Sequence, residues 1–161
     1  MFDAFWLRVE ASFIAGEIGA TWLFPLIESL HVLSITLMLG AILMLDLRLL
    51  GWAAKSYSIE SLSRELIPWS AIAFVFACAT GVGMFITRAS AHVENPAFQI
   101  KMILIVLAGL NIAYCHFRVL PALRLEEGSV QVIRTARVCG ALSLLLWIGT
   151  VLAGRWVGHI I

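Results

Sequence analysis

Four histidines stand in a chain that is 61 % hydrophobic, and an imidazole placed in hydrocarbon costs enough that it marks a functional position by default. His31 is the most informative of the four. It lies within the apolar run TWLFPLIESLHVLSITLMLGAILML, with Glu28 one helical turn ahead of it. A neutral imidazole with a free nitrogen is the commonest protein ligand for iron, copper and zinc. Between membrane helices it best serves haem b, whose porphyrin is apolar and whose iron takes axial nitrogens from facing helices. A rival chemistry is copper, or another metal ion, held by His31, His92 and His159. Glu28 and Glu94 would then act as oxygen ligands or as acceptors behind the histidines, and Met84 would assist copper. The plainest alternative has no cofactor: His31 bonds Glu28 or a serine, and the chain is a membrane scaffold. The ExxH spacing of Glu28 and His31 occurs once, so a complete di-iron site is not supported.

The elements that must position these residues follow from hydropathy. With 161 residues, 13 % of them charged, and a mean hydropathy of +0.98, the chain reads as a single integral membrane domain spanning residues 1–161. Crossing a bilayer takes roughly 20 apolar residues per helix. Four stretches qualify, at about 21–47, 66–88, 97–118 and 137–159. Short connections force neighbouring helices antiparallel, which predicts an all-α, antiparallel four-helix bundle. Residues 1–19 lack the basic start and cleavage site of a signal peptide. Phe2, Phe5, Trp6, Val9 and Phe13 recur there at helical spacing, which predicts an amphipathic helix lying in the interface. Asn95 and Pro96 suit the N-cap and first position of the third spanning helix. Gly128 marks a turn in the longer loop.

Lysine and arginine in the loops set orientation. Arg48, Lys55, Arg64, Arg118, Arg124, Arg134 and Arg137 fall on one side, and Arg8, Arg88, Lys101 and Arg155 on the other. This predicts that both termini face out, into the periplasm if the membrane is a bacterial inner membrane. His31, His92 and His159 are then sorted toward the outer face, and His116 toward the inner one. The second axial ligand is His92 or His159, with a slight preference for His159, whose helix carries it toward the bundle. Arg155, one turn before His159, is placed to meet a haem propionate or Glu28. Gly40, Gly81 and Gly154 are candidates to leave room for a flat cofactor, although ordinary helix contacts explain them too, as they explain the Ala73, Ala77, Gly81 seam. Trp147 and Trp156 could line a porphyrin, and interfacial anchoring also accounts for Trp156. His116 reads as an interfacial residue, or as a ligand to a second haem.

Other classes are excluded. A net charge of +1, with basic residues scattered over loops, gives no footprint for nucleic acid. Cys78, Cys115 and Cys139 lack CxxC spacing and read as packed thiols. There is no Gly-rich phosphate loop, GxSxG elbow or HExxH motif.

The segment LHVLSITLMLGAILMLDLRLLG resembles the first helix of small bacterial membrane haem proteins. FQIKMILIVLAGLN, with lysine at its outer end, resembles the matching helix of CopD-type and HemJ-type membrane proteins and of four-helix membrane cytochromes b. The likeness covers roughly residues 21–159. It implies haem b and redox chemistry toward the outer face, with His31 the matching ligand position. Met38 and Leu39 stand where those proteins commonly have tryptophan before the glycine. The reading overall is a b-type cytochrome subunit or membrane oxidoreductase, surrounded by lipid, exchanging electrons with a quinone or a periplasmic redox protein. Its long lipid-facing helices also make a homo-oligomer plausible.

Overall fold

The computed structural model describes residues 2–125 and 129–160; the turn expected at Gly128 lies outside the described residues. Two short helices, α1 (Phe2–Glu10) and α2 (Phe13–Ala20), precede α3 (Leu23–Leu50) and α4 (Ile59–Ile86). The small α5 (Ala89–Glu94) then leads into α6 (Pro96–Tyr114). A π-helical turn at Cys115–Val119 joins α6 to α7 (Leu120–Leu125), and α8 (Val130–Ile160) closes the chain. The N-terminal segment is thus two helices rather than one. Its break falls at Ser12, whose hydroxyl accepts from the Ala15 amide and starts α2.

Four helical stretches are long and apolar enough to cross a membrane: Leu23–Leu50, Ile59–Ile86, Pro96–Leu123 and Val130–His159. They pack as an all-α four-helix bundle and make this a multi-pass membrane protein. Its outer faces are apolar, with Leu33, Leu37, Val75, Ile103, Val106 and Leu145 all exposed. Without water in the bilayer core, polar groups on such faces must be satisfied within the chain. Ser29, Ser34 and Thr36 accordingly donate to the carbonyls of Pro25, Leu30 and Val32 on their own helix, at 2.7–2.8 Å.

The helix ends follow local chemistry. Gly51 takes the left-handed conformation at φ 78° and ends α3. Ser58 caps α4 through the Ser61 amide, so α4 starts at Ile59, well ahead of its apolar run. Asn95 caps α6 as its place before Pro96 predicts, its Oδ1 accepting from the Ala97 and Phe98 amides at 2.9 and 3.3 Å. Its Nδ2 donates to the Val157 carbonyl of α8 at 3.2 Å, which ties the start of α6 to the end of α8. The third spanning helix continues past residue 118 because the chain widens into a π turn just before Pro121. A proline displaces the carbonyl four residues earlier, here Phe117, and the widened turn absorbs that displacement.

α3 and α8 form the central contact, with α4 packed on α3 and α6 on α8, while α4 and α6 make little contact with each other. They meet at the end of the bundle that carries the chain termini, where Phe85 stacks on Phe98 at 5.4 Å. Trp6 of α1 meets Phe85 at 5.6 Å, and Glu10 accepts from the Ser90 amide and hydroxyl, each at 2.7 Å. Halfway along, Met38, Ala73, Ala108 and Trp147 form an apolar plug with one residue from each spanning helix. The indole fills the gap that the two alanines leave. Toward the loop end, Gly140 lets α8 approach α3, since a Cβ there would stand 3.1 Å from the Asp46 carbonyl oxygen and 3.2 Å from Leu49 Cβ.

Gly140→Ala should therefore destabilise the protein by ~1–3 kcal/mol in thermal unfolding in detergent, because backbone rather than a flexible tip must move. Gly109→Ala, where nothing lies within 4 Å, should be neutral or slightly stabilising through helix propensity.

Candidate cofactor-ligating site

His31 lies in the half of the bundle nearer the chain termini, half-buried between α3 and α4. Its Nδ1 is 2.9 Å from Thr80 Oγ1. The single Thr80 proton is engaged toward its own helix, by the Phe76 carbonyl at 2.7 Å and the Ala77 carbonyl at 3.1 Å. Thr80 oxygen must then accept, so His31 Nδ1 carries the proton. The Ala77 carbonyl, a second acceptor beside the same ring, favours the same assignment. Nε2 is left with its lone pair, which is the form of histidine that ligates metals. The hydrogen bond that the cofactor-free alternative assigns to Glu28 or a serine is made to Thr80 of the neighbouring helix.

Gly81 makes this contact possible. A Cβ at position 81 would lie 3.1 Å from His31 Cε1 and 3.7 Å from Nδ1. Opposite, Lys101 of α6 reaches into the same layer. Its stem lies against Gly154 of α8, where a Cβ would stand 3.7 Å from Cδ and Cε and 3.8 Å from Nζ. Its charge acts on the His31 ring. Two of the three glycines read as room for a flat cofactor therefore hold side chains: Gly81 accommodates His31, and Gly154 accommodates Lys101. Gly40 is exposed with nothing within 4 Å, so it faces outward rather than into the bundle.

The remaining sequence candidates are not gathered around His31. Glu28 is exposed. An i, i+3 pair is about 60° apart around a helix, enough for one member to turn inward and the other out. His159 and Arg155 are both exposed, which corrects the expectation that α8 carries His159 into the bundle. The buried position at that end of α8 is Val157, and residues two away from it lie about 200° round the axis. His159 instead sits beside Trp156, with ring centroids 6.3 Å apart. Trp156 is exposed, whereas Trp147 is buried in the plug.

His92 belongs to the aromatic cap. Its ring packs edge-on to Phe85 and Phe98 at 5.9 and 5.6 Å, and Nδ1 donates to the Arg88 carbonyl at 2.6 Å. Among the described residues, no group of three or more His, Cys, Asp or Glu is set to hold a metal ion. Cys78 is exposed on α4, not packed inside as expected, while Cys139 is buried and Cys115 partly so.

Two residues of this layer, Thr80 and Lys101, are absent from the ligand set read from sequence. Thr80 carries only a weak signal, a hydroxyl next to glycine in an apolar run. Lys101 carries a stronger one, as a lysine one turn into a spanning helix with no acid nearby in sequence.

The chain belongs to a family described as a family of unknown function, DUF6644, whose profile matches residues 5–160. No curated protein and no solved structure matches it.

A double-mutant cycle of His31→Leu and Thr80→Val, read by unfolding in detergent, should give a coupling of about 1 kcal/mol, in the range of interhelical hydrogen bonds in membranes. Additive effects would show that the two side chains do not interact.

Proposed function

We propose that this member of DUF6644 is a b-type haem-binding electron-transfer protein of a bacterial inner membrane, with both termini in the periplasm. The observation that carries the reading is His31. It is fixed in an apolar bundle with Nδ1–H committed to Thr80 and Nε2 free, and a lysine ammonium faces the same layer. The residues present suit the group: a ligating nitrogen of defined tautomer, a glycine beneath the imidazole, and flanking helices α4 and α6 not packed together along most of their length.

His31 Nε2 would hold the iron, and Lys101 would pair with a carboxylate of the group, as an ammonium does with an anion in a low-dielectric layer. Bound there, haem supplies one-electron exchange. The chain's own contribution is to orient the imidazole through Thr80, to exclude water with apolar walls, and to set Lys101 in the same layer as His31. The excess of Lys and Arg on the loops opposite the termini supports the orientation. In that orientation the His31 layer would lie nearer the periplasm, within reach of a quinone or a periplasmic redox protein.

Purified protein should show a Soret band and sharp reduced α and β bands. His31→Ala should abolish them, whereas His159→Ala should leave them intact. Lys101→Gln should retain haem less well and lower the midpoint potential by on the order of tens of millivolts, because a nearby positive charge disfavours the oxidised iron. A colourless preparation carrying stoichiometric copper would overturn the proposal in favour of a copper-binding protein.

A further inference from the structure

On the loop side of the Met38–Trp147 plug lies a second polar layer that the haem reading does not use. Asp46 of α3 is only 5 % exposed, and its Oδ2 has no hydrogen-bond partner. Ser143 of α8, 3 % exposed, stands beside the carboxyl, close enough to act on it. Both border a cavity with about 60 Å³ of room for water, which reaches between α4 and α6 where those helices part. A water needs roughly 10–15 Å³ measured in this way, so the space suits a few molecules. Asn111, whose Nδ2 donates to the Cys139 carbonyl at 3.0 Å, and Ser70 complete the polar wall. His116 lines the same cavity and is itself exposed at the loop end, carried there by the π turn. Turns of this kind recur at functional sites.

An ionised carboxylate with no cation beside it is too costly to persist in this setting. The groups facing Asp46 include no lysine or arginine. From α4 there is Ser70, from α6 and the π turn Asn111, Cys115 and His116, and from α8 Cys139 and Ser143. On its own helix, Arg48 turns away and donates to the Tyr57 carbonyl at 2.8 Å, and Arg137 of α8 is exposed.

We propose that Asp46 is a proton-binding site, exchanging its proton with the loop-side aqueous phase through water in this cavity and through His116. Release breaks the Asp46 O–H bond and passes the proton along cavity water to a ring nitrogen of His116, where an N–H bond forms. The imidazolium then delivers it to bulk water. Uptake is the reverse, and no electrons move. The site is independent of the haem reading.

Infrared spectroscopy of the protein in lipid bilayers tests this. A carboxylic-acid C=O band should be present, lose intensity as pH rises, and disappear in Asp46→Asn. It should also shift promptly on transfer to deuterated water. His116→Phe should keep the band and slow that shift at least about tenfold, the effect expected of losing a positioned proton carrier. Ser143→Ala should move its frequency, which keeps the test available if Asp46→Asn does not fold. The proposal is overturned by the absence of an Asp46-dependent acid band, by a carboxylate band that responds to sodium instead of pH, or by an exchange rate unchanged in His116→Phe.

Discussion

A polar side chain inside a bilayer must find its partner within the protein, and in this bundle that constraint bears hardest on His31. Its bond to Thr80 joins α3 to α4 where water cannot substitute for either partner. The energy of one such bond is modest. Its larger effect is to choose a tautomer: with the threonine proton committed to its own backbone, the imidazole must donate from Nδ1 and keep Nε2 bare. Gly81 is needed for the ring to reach Thr80, and Lys101 approaches from across the bundle because Gly154 leaves it a groove. The chemistry proposed for this layer depends on that geometry.

The bundle is divided along its axis. His31 and Asp46 lie on one helix, ~22 Å apart at 1.5 Å per residue, with the Met38, Ala73, Ala108 and Trp147 layer between them. This buried layer stands between the two polar ones. One layer presents the His31 imidazole and Lys101 toward the terminal end. The other presents a buried carboxyl and hydroxyl toward the loops. α4 and α6 touch through Phe85 and Phe98 at the terminal end, and the cavity beside Asp46 lies between them toward the loops.

The fold was legible because four apolar runs with short connections admit few arrangements, and the Asn95 cap follows from side-chain chemistry that acts over three residues. His31 was legible as a polar position inside a span, since an imidazole in an apolar run is conspicuous. Its surroundings were not. Hydropathy places a residue along the membrane normal but says nothing of its angle around the helix, and that angle separates His31 from Glu28 and Val157 from Arg155 and His159. Gly81 and Gly154 were rightly singled out as places of close approach, yet the groups that approach, His31 and Lys101, come from other helices. Thr80 matters only because α4 packs on α3 in one register, which no local pattern encodes. The π turn at Cys115–Val119 has no signature in the hydropathy pattern, and buried Val119 and Leu120 carry the helix on past it.

The central claim is that the bundle holds His31 with a protonated Nδ1 and a bare Nε2 directed to ligation. Solid-state nitrogen NMR of histidine-labelled protein in bilayers, assigned by loss of the signal in His31→Ala, reads this directly. The account predicts a His31 ring whose proton resides on Nδ1 and whose Nε2 is unprotonated; a proton found on Nε2, with Nδ1 bare toward Thr80, would contradict it.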